Sequence, residues 1–149
     1  MDPLETDLLV ADASVLVELV VAGRHRRGAE ALLRRYATVP RLTLVSAAHG
    51  LIEATSAVRR LVLRDDLAPE HGLDALEWLA ELDLALDPTA PRLRRIWSLR
   101  ERMSAYDAAY AAAAEAFGVP LITVDGRLLR ACHDAAIPAR HLDDFAKAS

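Results

Sequence analysis

Hydrophobic positions along this chain form short continuous runs that alternate with longer stretches in which they recur every three or four residues. The short runs predict buried strands, and the recurring positions predict amphipathic helices. The expected strands are residues 8–12, 42–45, 84–86 and 121–124. The expected helices are residues 14–21, 25–36, 47–63, 69–82, 91–102, 104–118 and 125–135.

Strands separated by helices predict a parallel sheet with helices on both faces, which is an α/β domain of the doubly wound type. In such sheets the functional site lies at the carboxyl ends of the strands, near the point where strand order reverses. The length of 149 residues predicts a single domain, 1–149, and the hydrophobic fraction of 53% is enough to build its core.

The cysteine count and the N-terminus favour a cytoplasmic protein. Cys132 is the only cysteine, which is typical of a reducing compartment, and its helix is expected to place it in the core. The N-terminal segment is acidic, whereas a signal peptide begins with basic residues. No apolar run approaches the ~20 residues that a membrane helix needs, so no membrane contact is expected.

The net charge of −4 argues mildly against a strongly basic nucleic-acid-binding domain. The distribution of charge is more informative, because every basic residue except Lys147 is an arginine and the arginines occur in clusters. Arginine binds phosphate through two parallel hydrogen bonds, whereas lysine offers a point charge. Each cluster is equally consistent with an ordinary solvent-facing helix surface, so both interpretations stay open.

Four acidic residues occupy positions that call for a chemical explanation: Asp12, Glu53, Asp107 and Asp125. Two of them end predicted strands, one interrupts the apolar side of a helix, and one lies in the first turn of an alanine-rich helix. Each also has a purely structural interpretation. The strand-end aspartates are suited to capping helices, Ser104 and Asp107 match a capping box, and a glutamate at a helix edge reaches solvent.

Taken together, the four acids favour a metal site. Carboxylates a few ångströms apart repel each other by roughly 3–4 kcal/mol per pair at an effective dielectric constant near 20. A divalent cation removes this conflict, and oxygen ligands suit Mg²⁺ or Mn²⁺ better than zinc. The five histidines show no recognisable ligand spacing, so solvent-facing or hydrogen-bonded structural roles are expected for them.

Four short motifs follow one another in a defined order. They are Val-Ala-Asp-Ala-Ser at 10–14, Leu-Ile-Glu-Ala-Thr at 51–55, Tyr-Asp-Ala-Ala-Tyr at 106–110 and Leu-Ile-Thr-Val-Asp at 121–125. Their order and spacing resemble those of PIN-domain proteins and, more narrowly, of VapC, the toxin of bacterial toxin–antitoxin pairs. One departure is Ser46-Ala-Ala-His49, where family members often carry a proline before the helix glutamate.

The resemblance implies a PIN-like α/β/α sandwich with a central, mainly parallel sheet, and RNA cleavage that depends on Mg²⁺ or Mn²⁺. It also implies an RNA substrate, a cognate antitoxin protein and a homodimer. Carried over motif by motif, the catalytic and metal-binding residues are Asp12, Glu53, Asp107 and Asp125. Ser14 and Thr123 match the small hydroxyl residues near this cluster, where they orient a ligand or water, or bond backbone groups at the strand–helix junction.

Two other functions have to be weighed. A haloacid-dehalogenase-like phosphatase also carries an aspartate after its first strand, but it usually has a second one two residues later, where this chain has Ser14. Such enzymes also use a late lysine, and Lys147 lies beyond the last predicted element. The other alternative is a PIN-like binding module that no longer cleaves.

Trp78 and Trp97 lie in helical apolar patterns that favour packing or a subunit interface over base stacking. The helices around 32–36 and 51–61 are candidates for the dimer surface, although burial within the fold explains their apolar residues equally well.

Overall fold

Five parallel strands form the centre of the computed structural model, which describes residues 2–147. They are β1 (Leu8–Ala11), β2 (Thr43–Ala47), β3 (Leu84–Asp87), β4 (Leu121–Thr123) and β5 (Ala139–His141). Their order is β3-β2-β1-β4-β5, and each neighbouring pair is parallel. Strand order reverses between β1 and β4, so the carboxyl ends of these two strands mark the expected position of a site.

Helices cover both faces of the sheet. They are α1 (Ala13–Val20), α2 (Arg26–Thr38), α3 (Gly50–Leu63), α4 (Pro69–Glu81), α5 (Leu93–Ser98), α6 (Ala105–Phe117), α7 (Gly126–Asp134) and α8 (Asp144–Lys147). Short 3₁₀ turns lie at Pro3–Glu5 and Ala90–Arg92. Helix α1 packs against α2, α3 and α4, whereas α5 packs against α6. The predicted α/β/α architecture with a parallel sheet is confirmed.

Two predicted elements have different boundaries in the structure, and two elements were not predicted. Strand β2 continues through Ala47, which pairs with Asp87, so the helix expected from residue 47 begins only at Gly50. The helix expected over 91–102 is a 3₁₀ turn followed by the short α5, which ends at Ser98. Strand β5 and helix α8 were not predicted, because runs of three and four residues show no recognisable periodicity.

Helix α6 positions one of the candidate acids. Its alanines from Ala108 to Ala114 are buried against β1, β2 and β4, because their small side chains let the helix lie close to the sheet. The Ser104 hydroxyl accepts a hydrogen bond from the Asp107 backbone N–H at 3.1 Å, as the capping pattern predicts. Gly118, with φ of 68°, ends the helix in the left-handed conformation that favours glycine. Asp107 is thereby held in the first turn, at the carboxyl edge of the sheet.

Strand β3 ends in a buried acid that the sequence did not single out. Asp87 is 6% exposed and accepts two hydrogen bonds from the Arg92 guanidinium, each 3.0 Å long. Such a two-point pair neutralises the carboxylate and satisfies both of its oxygens. Asp87 is therefore a structural residue that anchors the 3₁₀ turn to the sheet.

The apolar residues of uncertain role divide into two groups. Cys132 is fully buried, as predicted. Trp78 and Trp97 are 70% and 69% exposed, so their packing inside this chain was a wrong prediction and the subunit-interface interpretation is left. Across residues 2–147, no helix combines the length and the apolarity that crossing a bilayer requires.

Candidate active site

Asp12 lies at the centre of the candidate site. It follows β1 directly and is 5% exposed. Its Oδ1 accepts hydrogen bonds from the Ser14 hydroxyl at 2.6 Å and the Val15 backbone N–H at 3.1 Å, and its Oδ2 accepts one from the Thr123 hydroxyl at 2.5 Å. Both oxygens are therefore held by the protein, and a carboxylate still has lone pairs to offer a cation.

Ser14 and Thr123 join the ends of β1 and β4. Besides binding Asp12, the Ser14 hydroxyl accepts the Val124 backbone N–H at 3.2 Å, and the Thr123 hydroxyl accepts the Asp125 N–H at 3.0 Å. The two hydroxyls lie 3.4 Å apart. The two interpretations offered for these residues are thus both met in part, since they bond backbone groups and orient a candidate ligand.

The pKa of Asp12 is raised to about 6. Burial is the main cause, because a low-polarity environment disfavours the charged form. The hydrogen bonds from Ser14, Thr123 and Val15 lower it, and the negative charge of Asp107 raises it slightly. A carboxylate in such an environment favours a cation beside it.

Asp107 is coupled electrostatically to each of the other three acids. Burial raises its pKa first, and the charge of Asp125 raises it further, while Arg127 lowers it. The pKa of Glu53 is raised by burial and then by the charge of Asp107. Asp12 also feels Asp107. The structure therefore brings the four predicted acids to one edge of the sheet, with Asp107 as their common neighbour.

The capping interpretations are also correct. Asp12 caps α1 through Val15, and Asp125 Oδ1 accepts the N–H groups of Arg127 and Leu128 at 2.9 and 3.3 Å at the start of α7. Capping alone does not require a charged group, because asparagine and serine cap helices about as well. The mutual repulsion of the acids therefore still needs an explanation.

The donor set fits Mg²⁺ or Mn²⁺, because all four side chains offer carboxylate oxygens. Among the described residues, however, the group of three possible ligands whose donor atoms lie within 4.8 Å of one another is a different cluster, built on His25, His141 and Asp143. The four acids line a common edge, and an ion at this edge requires their side chains to turn toward it.

Two further residues belong to this edge and were missed. His49 Nε2 lies 3.5 Å from Glu53 Oε2, and its ring contacts Tyr110 and Tyr106 with centroids 4.8 and 5.4 Å apart. Burial lowers the pKa of His49 and raises that of Tyr110, whose hydroxyl also faces the charges of Glu53 and Asp12. Within residues 2–147, His49 Nε2 and Tyr110 Oη are buried without a hydrogen-bond partner. The spacing of His49 four residues before Glu53 was the signal available in the sequence.

Three arginines flank the acids. Arg102 and Arg127 line a cavity together with Asp107, and Arg60 lines a second one together with Glu53. The sequence analysis left the role of the arginine clusters open. These guanidinium groups give an anionic polymer positive charge beside the carboxylates.

Comparison with known proteins agrees with this geometry. A family model described as PIN domain matches residues 9–134. Ribonuclease VapC12 of Mycobacterium tuberculosis is 34% identical over 131 residues, which cover 87% of this chain and 97% of that protein. Ribonuclease VapC1 of the same species is 38% identical over 127 residues, which cover 84% of this chain and 91% of that protein.

Two solved structures share the fold. The crystal structure of PAE2754 from Pyrobaculum aerophilum superposes with a TM-score of 0.70 at 19% identity and covers 95% of this chain and 89% of that one. The crystal structure of Mycobacterium tuberculosis VapC20, described as a sarcin–ricin loop cleaving toxin, gives a TM-score of 0.60 at 20% identity, with 83% and 94% coverage. At these identities the likeness concerns the fold alone.

Proposed function

This chain belongs to the PIN-domain family, and we propose that it is a metal-dependent ribonuclease of the VapC type that hydrolyses RNA phosphodiester bonds as the toxin of a toxin–antitoxin pair. The observation that carries the proposal is the buried Asp12 at the switch point of the sheet, with Asp107 close enough to raise its pKa. We further propose that residues 1–149 act as a single PIN-like domain in the cytoplasm, where RNA is available.

The metal in this proposal is Mg²⁺ or Mn²⁺, held by Asp12, Glu53, Asp107 and Asp125. Such an ion lowers the pKa of a bound water and neutralises charge that develops on the phosphate. An all-carboxylate donor set and the electrostatic coupling centred on Asp107 support this assignment.

The chain's own side chains prepare the site for RNA. Ser14 and Thr123 hold Asp12 in one orientation. Arg60, Arg102 and Arg127 are placed to bind phosphates on either side of the scissile bond, which offsets the repulsion between RNA and the acids.

The two alternatives are less well supported. The position of a second phosphatase aspartate holds Ser14, whose hydroxyl bonds Asp12, and Lys147 pairs with Asp144 at 3.6 Å. A non-catalytic PIN-like module would have no need for four mutually repelling carboxylates. Neither alternative explains why the chain keeps Asp12 buried at an unfavourable pKa.

Purified protein is expected to cleave RNA with Mg²⁺ or Mn²⁺ and to be inactive in EDTA. The assay incubates a mixed RNA pool with tag-free protein and follows the appearance of defined fragments, with Asp74→Asn on the exposed side of α4 as a matched control. Expression alone is expected to arrest growth, and co-expression of the cognate antitoxin is expected to restore it by filling the anionic edge. Intact RNA under every metal condition, together with normal growth, contradicts the proposal.

We also propose a homodimer. Of the predicted surfaces, 32–36 is a poor candidate because Leu32 is buried, whereas 51–61 buries Val58 but leaves Ile52 74% exposed. Leu93 and Trp97 lie one turn apart on α5 and are 56% and 69% exposed, so two neighbouring apolar side chains make this helix the candidate that we test.

Light scattering at tens of micromolar is expected to give twice the chain mass of 16.3 kDa. Trp97→Glu is expected to shift this mass toward the monomer, because it places a charge in the apolar contact. His71→Glu, which places the same charge at an exposed polar position of α4, serves as the control and leaves the mass unchanged. A monomeric wild type at this concentration refutes the dimer.

A further inference from the structure

A second cluster of metal-ligating side chains lies outside the acidic edge. One donor atom from each of His25, His141 and Asp143 lies within 4.8 Å of the other two. His25 Nδ1 is 2.9 Å and His141 Nδ1 is 3.6 Å from Asp143 Oδ2. The side chains are partly exposed, at 18%, 24% and 40%, so the cluster is reachable from solvent.

Two distant parts of the chain meet here. His25 is the N-cap residue of α2, His141 ends β5, and Asp143 precedes α8. The approach of α2 depends on Gly28, where an added Cβ would lie 2.7 Å from the carbonyl oxygen of Leu142. A larger side chain at Gly28 would therefore push α2, and His25 with it, away from Asp143, which contacts both histidines.

Glu18 lies outside the group whose donor atoms are within 4.8 Å of one another, but its carboxylate interacts with two members of that group. Within the described part of the chain, its Oε2 is buried and has no hydrogen-bond partner. Burial raises the pKa of Glu18, the charge and the backbone N–H of His25 lower it, and the charge of Asp143 raises it, so the carboxylate interacts with both residues. A buried carboxylate oxygen without a donor is costly unless a cation or proton satisfies it.

We propose that His25, His141 and Asp143 bind a zinc ion, with the carboxylate of Glu18 completing the site. Two imidazoles and two carboxylates form a donor set that zinc favours and magnesium does not. Tetrahedral ligands at zinc lie about 3.3–3.5 Å apart, which is close to the present distances of 2.9 and 3.6 Å from the two histidines to Asp143 Oδ2. Zinc binding at His141 Nδ1 replaces the hydrogen bond that this nitrogen now accepts from the Asp143 backbone N–H at 3.0 Å.

The zinc ion ties together elements that also hold the acidic edge. His141 pairs in register with Thr123, and the Leu142 N–H donates to the Thr123 carbonyl at 3.0 Å. Glu18 lies one helical turn after Ser14 on α1. Zinc therefore fastens α1 and β5, the neighbours of the two hydroxyl residues that orient Asp12, and its role is structural.

The test is a zinc titration that is independent of cleavage. Calorimetry uses tag-free Asp107→Asn protein in excess Mg²⁺, so that zinc binding at the acidic edge is suppressed and no activity is required. One equivalent of Zn²⁺ is expected to bind and to raise the melting temperature. His25→Asn with His141→Asn is expected to weaken binding by more than about 100-fold, and Glu18→Gln by about 10–100-fold. His71→Asn, at an exposed histidine on α4, is the matched control and is expected to bind normally.

A second measurement needs no ligand variant. In imidazole nitrogen NMR spectra, zinc is expected to shift the signals of His25 and His141 while those of His49, His71 and His133 stay in place. Absence of stoichiometric zinc binding overturns the proposal. So does binding that the double histidine variant retains, or signal shifts at the other histidines instead. Each of these results leaves the ribonuclease proposal unaffected, because cleavage is measured separately.

Discussion

Asp107→Asn is expected to abolish RNA cleavage while leaving the metal-free protein at least as stable as the wild type. Removing this carboxylate eliminates the common neighbour of the other three acids, and several kcal/mol of transition-state stabilisation by a metal corresponds to at least about 1,000-fold in rate. Stability is expected to rise by up to about 1 kcal/mol, because the repulsion at this partly exposed group is screened by water. Ser104 still caps α6, so little capping energy is lost.

Thermal melts in EDTA and in millimolar Mn²⁺ check this expectation alongside the cleavage assay. Wild type is expected to be stabilised by Mn²⁺ through mass action, and Asp107→Asn much less. The Asp74→Asn control is expected to behave as wild type in both. If Asp107→Asn instead melts several degrees lower in EDTA and both proteins respond equally to Mn²⁺, Asp107 is a structural residue and not a metal ligand.

Asp12→Asn is expected to stabilise the metal-free protein at neutral pH and to have little effect at pH 4. The pKa of Asp12 is raised from 3.8 to about 6 in the folded protein, so the folded state holds the proton more tightly than the unfolded state. This tighter proton binding stabilises the folded protein. The stabilisation is fully present below the pKa of Asp12 in the unfolded chain, and it is lost as the pH rises through about 6. A shift of this size corresponds to about 3 kcal/mol at neutral pH.

Denaturant unfolding in EDTA at several pH values between 4 and 8 measures the difference between the two proteins. Comparing them at each pH cancels the titration of the groups that they share. The difference is expected to grow from pH 4 to pH 7 and then to level off. A difference that is independent of pH contradicts the assignment of a buried, destabilising charge to Asp12.

Local sequence signals were enough to place the elements that carry Asp12 and Asp125. Each aspartate follows a short apolar run and precedes a helix, and the information needed lies within a few residues. The same is true of α6, whose start at Ser104 and end at Gly118 are marked by capping residues. The order of these elements predicted a parallel sheet, and the sheet in turn predicted that both aspartates meet at one edge.

Such local signals do not predict very short elements or contacts between residues that lie far apart in the sequence. Strand β5 has only three residues, and it forms because β4 offers an open edge for pairing. His49 and Tyr110 come into contact only because the residue that precedes α3 approaches α6 in the folded chain. The exposure of Trp78 and Trp97 likewise depended on which helix faces the fold left uncovered.

The sequence by itself therefore determined the fold class, the positions of the four acids and the family, because these depend on patterns within single elements and on their order along the chain. The tertiary structure decided the electrostatic state of Asp12, since its pKa is set by burial and by Ser14 and Thr123 together. It also decided that His25 and Asp143, 118 residues apart, share a cluster with His141. Contacts of this kind arise only when separate elements pack, and no local periodicity encodes them.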